Sequence, residues 1–173
     1  MHSAAIMKYT AAATMAFAVM AAPLAAIAQG SDTVLKPTDT PKLLPSTVYY
    51  KGLSATTQLR NSGGVKFADG YYVLATMVDT SGYSTGIAAK YQAYFITEVP
   101  IKLGGQSLPA GIYGVGFVGD NQFVVTDVGA HEVLTVSTNE DAALKRPTPL
   151  QVTVDPAGGF RLYSGRKYVV FSR

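Results

Sequence analysis

No cysteine occurs among the 173 residues. That excludes disulfides, thiolate nucleophiles and cysteine-ligated zinc, so stability has to come from packing and backbone ladders. Tryptophan is also absent, and the two histidines are His2 and His131. Charged residues make up 14% of the chain and the net charge is +3, too small an excess to argue for nucleic acid. What is abundant is glycine, 17 residues, and tyrosine, 11 residues, the composition of a strand-rich protein with many turns.

The first 28 residues read as a cleaved secretory signal peptide. Lys8 is the basic start, Thr10 to Leu24 is dominated by Ala, Met, Phe and Val, and Ala26-Ile27-Ala28 is a small-x-small cleavage signal that places the cut before Gln29. Met7 is a more natural initiator than Met1. The apolar run falls short of the roughly 20 residues that a membrane span needs, and no twin arginine marks the folded-export route. The expectation is a soluble mature chain without a membrane span, in a periplasm or outside the cell. His2 leaves with the leader, so His131 is then the one remaining imidazole.

After the leader, residues 29–45 carry Pro37, Pro41 and Pro45 and read as an extended, flexible arm. Residues 46–173 form one domain-sized unit in which short β-like runs alternate with turn signals. Thr47–Tyr50, Ser54–Arg60, Tyr71–Val78, Tyr91–Glu98, Ile112–Val118, Gln122–Val128, Glu132–Val136, Leu150–Val154, Phe160–Tyr163 and Lys167–Phe171 are the principal runs. Asn61-Ser62-Gly63-Gly64 reads as a turn, Ile87–Tyr91 as either helical or extended, and Ala142–Lys145 as a single helical turn stopped by Pro147. The spacing predicts an all-β fold of about nine or ten antiparallel strands with at most one short helix. It is either a closed barrel or a strongly coiled β-sandwich. The run from Gly104 to Tyr113 (GGxxLPAGxY) resembles a hairpin pattern that recurs in secreted bacterial β-domains and carries over no site residue.

Two local features are specific. Gly114 and Gly116 share one face of a strand whose other face bears Tyr113, Val115 and Phe117, which implies strong bending or the close approach of another group. A three-residue loop at Gly119-Asp120-Asn121 would put Phe117 opposite Phe123 and Val115 opposite Val125, joining the bulky residues on one buried face.

Catalytic groups are scarce. A Ser–His–Asp triad is open only through His131, and no G-x-S-x-G elbow accompanies it. Ser164-Gly165-Arg166-Lys167 matches S-x-x-K in letters, but Gly165 and its flanking β-runs predict a hairpin rather than the helix that brings lysine to serine. Asp120-Asn121 and Asp79-Thr80-Ser81 lack calcium-loop spacing. Glu98, Asp127 and Glu132 are the carboxylates available for acid–base work. No phosphate-cradling glycine loop precedes a helix, and no cofactor or metal is implied.

The C-terminal segment stands out by charge. Lys145, Arg146, Arg161, Arg166, Lys167 and Arg173 face a single acid, Asp155, while the preceding part of the mature chain is mildly acidic. Within it, Arg161, Tyr163, Arg166, Lys167 and Tyr168 interleave bases with aromatics around a turn, a combination suited to gripping anions or stacking on planar faces. The alternative is that Tyr163 and Tyr168 pack across the strands while the bases keep an edge soluble. The expected function is a non-catalytic binding or accessory module of the cell envelope, with an anionic glycan, lipid or envelope protein as partner. The alternatives are a small barrel carrying an apolar ligand, or an assembly subunit that pairs through an edge strand, with the Pro-rich arm as donor.

Overall fold

The structure, a computed structural model, describes residues 30–173. The signal-peptide reading and its cleavage site lie outside the described residues. Of the described residues, 54% are in strands and 7% in helices. In chain order the elements are β1 (Thr33–Val34), α1 (Thr40–Leu43), β2 (Thr47–Tyr50), β3 (Leu53–Lys66), β4 (Tyr72–Val78), α2 (Thr85–Lys90), β5 (Ala93–Thr97), β6 (Ile101–Leu103), β7 (Gln106–Leu108), β8 (Gly111–Val118), β9 (Gln122–Thr126), β10 (Glu132–Ser137), β11 (Asn139–Glu140), β12 (Thr148–Val154), β13 (Phe160–Gly165) and β14 (Lys167–Ser172). No helix among them is long and apolar enough to cross a membrane.

All pairings are antiparallel, and they form two sheets. The larger has the order β1-β3-β4-β5-β8-β9-β10, with β2 also pairing β3; the smaller has the order β12-β13-β14-β6-β7, with β11 also pairing β14. Neither sheet closes into a barrel among the described residues. The strand number exceeds the expected nine or ten because of two-residue and three-residue pieces: β1, β7 and β11 are too short to leave an alternating signature, while β6 follows the alternation that Val99, Ile101 and Leu103 show in the sequence. Two helices form where at most one was expected. The helical turn expected at Ala142–Lys145 is instead a single hydrogen-bonded reverse turn, closed by Leu144 N–H on the Asp141 carbonyl at 3.2 Å.

The anticipated register at the β8–β9 hairpin is the one observed. Val118 faces Gln122, Phe117 faces Phe123 and Val115 faces Val125, with Phe117 and Phe123 rings 4.8 Å apart. Val115, Phe117, Phe123 and Val125 join Val73, Ala75 and Phe95 from the large sheet and Leu103, Leu162, Val169 and Phe171 from the small one in a single core between the sheets. The turn expected at Asn61–Gly64 is not a turn. β3 runs straight through it, and the polar residues there mark a bulge between Gln58 and Ser62.

The large sheet is buried on both faces. Its outer face carries a second core of Leu44, Val48, Tyr50, Ala55, Leu74, Val78, Tyr91 and Tyr94. β2, α1 and α2 cover it, which explains why four consecutive residues of β4, Val73 to Thr76, are all buried. Gly114 and Gly116 form the floor under this cover. A Cβ on Gly114 would lie 2.7 Å from the Tyr50 and Tyr91 rings, and one on Gly116 would lie 2.7 Å from the Lys90 carbonyl oxygen. The paired glycines serve close approach, as one reading of the sequence required. On that floor Tyr50 and Tyr91 stack with centroids 3.7 Å apart at 12°, and Tyr83 stands edge-on to both. The β2–β3 turn that delivers Tyr50 has Lys51 at φ 49° and Gly52 at φ 82°, the left-handed pair that matches strand twist in a two-residue hairpin.

The segment expected to be a flexible arm is packed onto this layer. Thr33–Val34 pair with Val65 and Lys66, the Thr40 hydroxyl bonds to the Ser62 hydroxyl at 2.7 Å, and Thr40 and Leu44 are buried. Proline fixes the backbone here without freeing it, because Pro41 enters the first turn of α1, where a missing N–H costs nothing.

Candidate functional site

The C-terminal cluster is built on the β12–β13–β14 meander. Phe160, Leu162, Val169 and Phe171 point into the core, so Arg161, Tyr163 and Tyr168 lie on the outer face. Tyr163 is directly opposite Tyr168, with ring centroids 5.1 Å apart. Arg161 lies over the Tyr168 ring, its guanidinium carbon 4.4 Å from the centroid.

These three residues are committed to one another and to two carboxylates. Arg161 Nε donates to Asp155 Oδ2 at 2.6 Å, and Arg161 Nη1 donates to the Tyr163 hydroxyl at 3.2 Å. That hydroxyl donates to Asp141 Oδ2 at 3.0 Å, and Asp141 also sits 3.6 Å from Arg161 Nη1. The Asp155 bond above all, reinforced by Tyr163, pushes the guanidinium pKa further up. The same bond holds the Asp155 carboxyl below the usual carboxylate range. Arg161, Tyr163 and Tyr168 therefore form a closed network that fixes the 141–147 loop and the β12–β13 turn to the outer face.

Arg166 and Lys167 are placed differently. Ser164 faces Lys167 across the β13–β14 turn, so the S-x-x-K letters fall on a hairpin. Arg166 is exposed at its tip, and its carbonyl accepts the Asp141 N–H at 2.9 Å. Lys167 Nζ donates to the Gly119 carbonyl at 3.1 Å. β12 begins with Thr148 opposite Gly165, which brings the loop carrying Lys145 and Arg146 to the same end of the molecule. Among the described residues, Lys145, Arg146, Arg166 and Lys167 take part in no ion pair. Glu140, in register with Lys167, is the nearest acid on the strands, and a positive excess remains. Lys145 and Arg146 were visible in the sequence only as part of the local charge count. Their proximity to Arg166 depends on the β12–β13 register.

No protein family, curated protein or solved structure matches the chain.

The remaining chemical candidates are occupied with turns and ion pairs. Asp127 Oδ1 accepts the N–H of Gly129 at 2.8 Å and of His131 at 3.0 Å, and Oδ2 meets His131 Nδ1 at 3.0 Å. This ties up the β9–β10 turn, lowers the Asp127 pKa through the His131 backbone bond first, and leaves the imidazole largely exposed. Glu132 pairs with Lys90, and Glu98 accepts the Tyr72 N–H at 2.8 Å. No group of three or more His, Asp or Glu is placed to hold a metal among the described residues.

Proposed function

We propose that the protein is an exported binding or accessory module of the cell envelope, and that it meets an anionic glycan, lipid or protein surface through its basic end. The observation that carries this reading is the gathering of Lys145, Arg146, Arg166 and Lys167, without ion-pair partners among the described residues, on a rigid turn and its neighbouring loop. Arg161, Tyr163 and Tyr168 act as the brace that holds this end in place. The leader read from the sequence favours the envelope, and the turn bonds and ion pairs that engage Asp127, Glu98 and Glu132 favour binding over catalysis.

The same reading takes the fold as a strongly coiled sandwich, since two open sheets share one core. A void of about 10 Å³ beside Phe117 and Leu162 is water-sized, which favours the surface over an enclosed ligand as the place of binding. The test is charge reversal of Lys145, Arg146 and Arg166 to Glu, followed by co-sedimentation with anionic and zwitterionic vesicles and retention on an acidic polysaccharide. Binding is expected to be lost in the variant and to weaken as salt rises. Wild-type protein that ignores all the anionic surfaces, or a variant that binds them equally well, overturns the reading.

A further inference from the structure

A groove of about 360 Å³ lies between the β3 bulge and the start of β12, and none of the four bases of the basic end lines it. Its volume falls in the range of about 300–1,000 Å³ typical of small-molecule clefts. Its lining includes the apolar Leu35, Pro37 and Pro149 and the polar Arg60 and Asn61. The bulge is what turns these two outward, because Leu59, Arg60 and Asn61 have no partners on β4 between the Gln58–Met77 and Ser62–Thr76 pairs. It is pinned in that shape. Ser62 Oγ donates to the Leu59 carbonyl at 2.6 Å and accepts from Thr40 Oγ1 at 2.7 Å.

The bonding capacity left in the groove is specific. Arg60 is exposed and has no hydrogen-bond or ion-pair partner for its side chain among the described residues, and no acid lines the groove. Asn61 Nδ2 donates to Gln58 Oε1 at 3.0 Å, which leaves Asn61 Oδ1 as a free acceptor. β12 is the edge strand of its sheet, but it is poorly suited to receive another strand. Pro149 has no N–H to offer, and the Leu150 carbonyl already accepts the Thr148 hydroxyl at 3.2 Å. The geometry points to a small organic carboxylate with an apolar body as the ligand of this groove. Arg60 takes the carboxylate, Asn61 Oδ1 accepts from an amide N–H or hydroxyl on the ligand, and the prolines and Leu35 receive the apolar part.

The test is titration of ¹⁵N-labelled protein with N-acetyl-leucine, N-acetyl-leucinamide and galacturonate, following backbone amide shifts. N-acetyl-leucine is expected to shift the amides of Leu35, Asn61 and Gln151 and to saturate in the millimolar range. The neutral amide, which lacks the carboxylate, is expected to bind about tenfold more weakly, and Arg60→Gln to weaken N-acetyl-leucine about as much. Arg166→Gln leaves the shifts unchanged, which separates this site from the basic end. Absence of shifts, equal binding of the acid and its amide, equal binding of galacturonate, or indifference to Arg60→Gln each overturns the assignment. Sensitivity to Arg166→Gln in place of Arg60→Gln overturns it as well, by moving the ligand to the basic end.

Discussion

Asp155 accepts a 2.6 Å hydrogen bond from Arg161 Nε on Oδ2 and a 2.7 Å bond from the Ala157 N–H on Oδ1, with its side chain only 5% exposed. One carboxylate thus holds the β12–β13 turn and the arginine of the outer-face network together. Asp155→Asn removes the charge and is expected to cost about 2 kcal/mol at neutral pH. The folded-state pKa of Asp155 is depressed, so its contribution is full above the unfolded-state value of about 4 and is lost as pH falls through the lower folded-state value. Urea unfolding of wild type and variant is therefore expected to differ most at neutral pH and to converge in strong acid. A gap that stays constant across that window would refute the assignment.

Gly116 lies beneath backbone carbonyls of α2, which cannot rotate away. A Cβ there would be 2.7 Å from the Lys90 oxygen and 2.8 Å from the Ala89 oxygen. Gly116→Ala is expected to cost about 1–3 kcal/mol through overpacking. Gly82 serves as the control, because a methyl group at that position would meet nothing within 4 Å. Gly82→Ala should leave the melting temperature unchanged.

The stacked tyrosines make opposite predictions. Thr126 Oγ1 donates to the Gly114 carbonyl at 3.1 Å, so in its 2.6 Å contact with Tyr50 it accepts and the phenol donates. Tyr50→Phe loses that bond and is expected to cost about 1 kcal/mol. The Tyr91 hydroxyl is buried without a hydrogen-bond partner among the described residues, and burial pushes its pKa well up. Tyr91→Phe is expected to be neutral or stabilising, because it deletes a desolvated group and keeps the ring. Chemical denaturation of both variants decides the matter; a larger loss from Tyr91→Phe than from Tyr50→Phe contradicts it.

Removal of residues 30–45 distinguishes an arm from a clasp. Thr40 is fully buried with its hydroxyl on Ser62, and Leu44 belongs to the outer core. Thr40→Ala alone is expected to cost about 1–2 kcal/mol, and deletion of the segment more. A freely moving arm would produce no change in either measurement.

Much of the large sheet was legible from residue order. The demand that one strand face be buried was enough to fix the Phe117–Phe123 register, and the same-face glycines left two readings, bending or close approach, of which the second holds. The outer core was not legible, because Leu74 and Tyr94 sit at positions that a half-exposed strand would give to polar residues. Only the covering elements explain them. Asn61-Ser62-Gly63-Gly64 misled for a related reason, since a bulge and a turn ask for the same residue types. At the basic end the bases and aromatics were visible, but their roles were not. Asp141 and Asp155 reach Arg161 from separate loops, and no spacing along the chain reveals that its charge is already matched.

The outer layer has a consequence for the order in which the chain can assemble. Tyr50, Tyr83 and Tyr91 all precede Gly114 and Gly116, the strip on which the stacked pair and α2 rest. A chain delivered N-terminus first presents these rings before their support exists. Until β8 pairs with β5, the stacked rings of Tyr50 and Tyr91 lack the floor they rest on. The outer layer therefore closes only once the strand bearing these two glycines is in place.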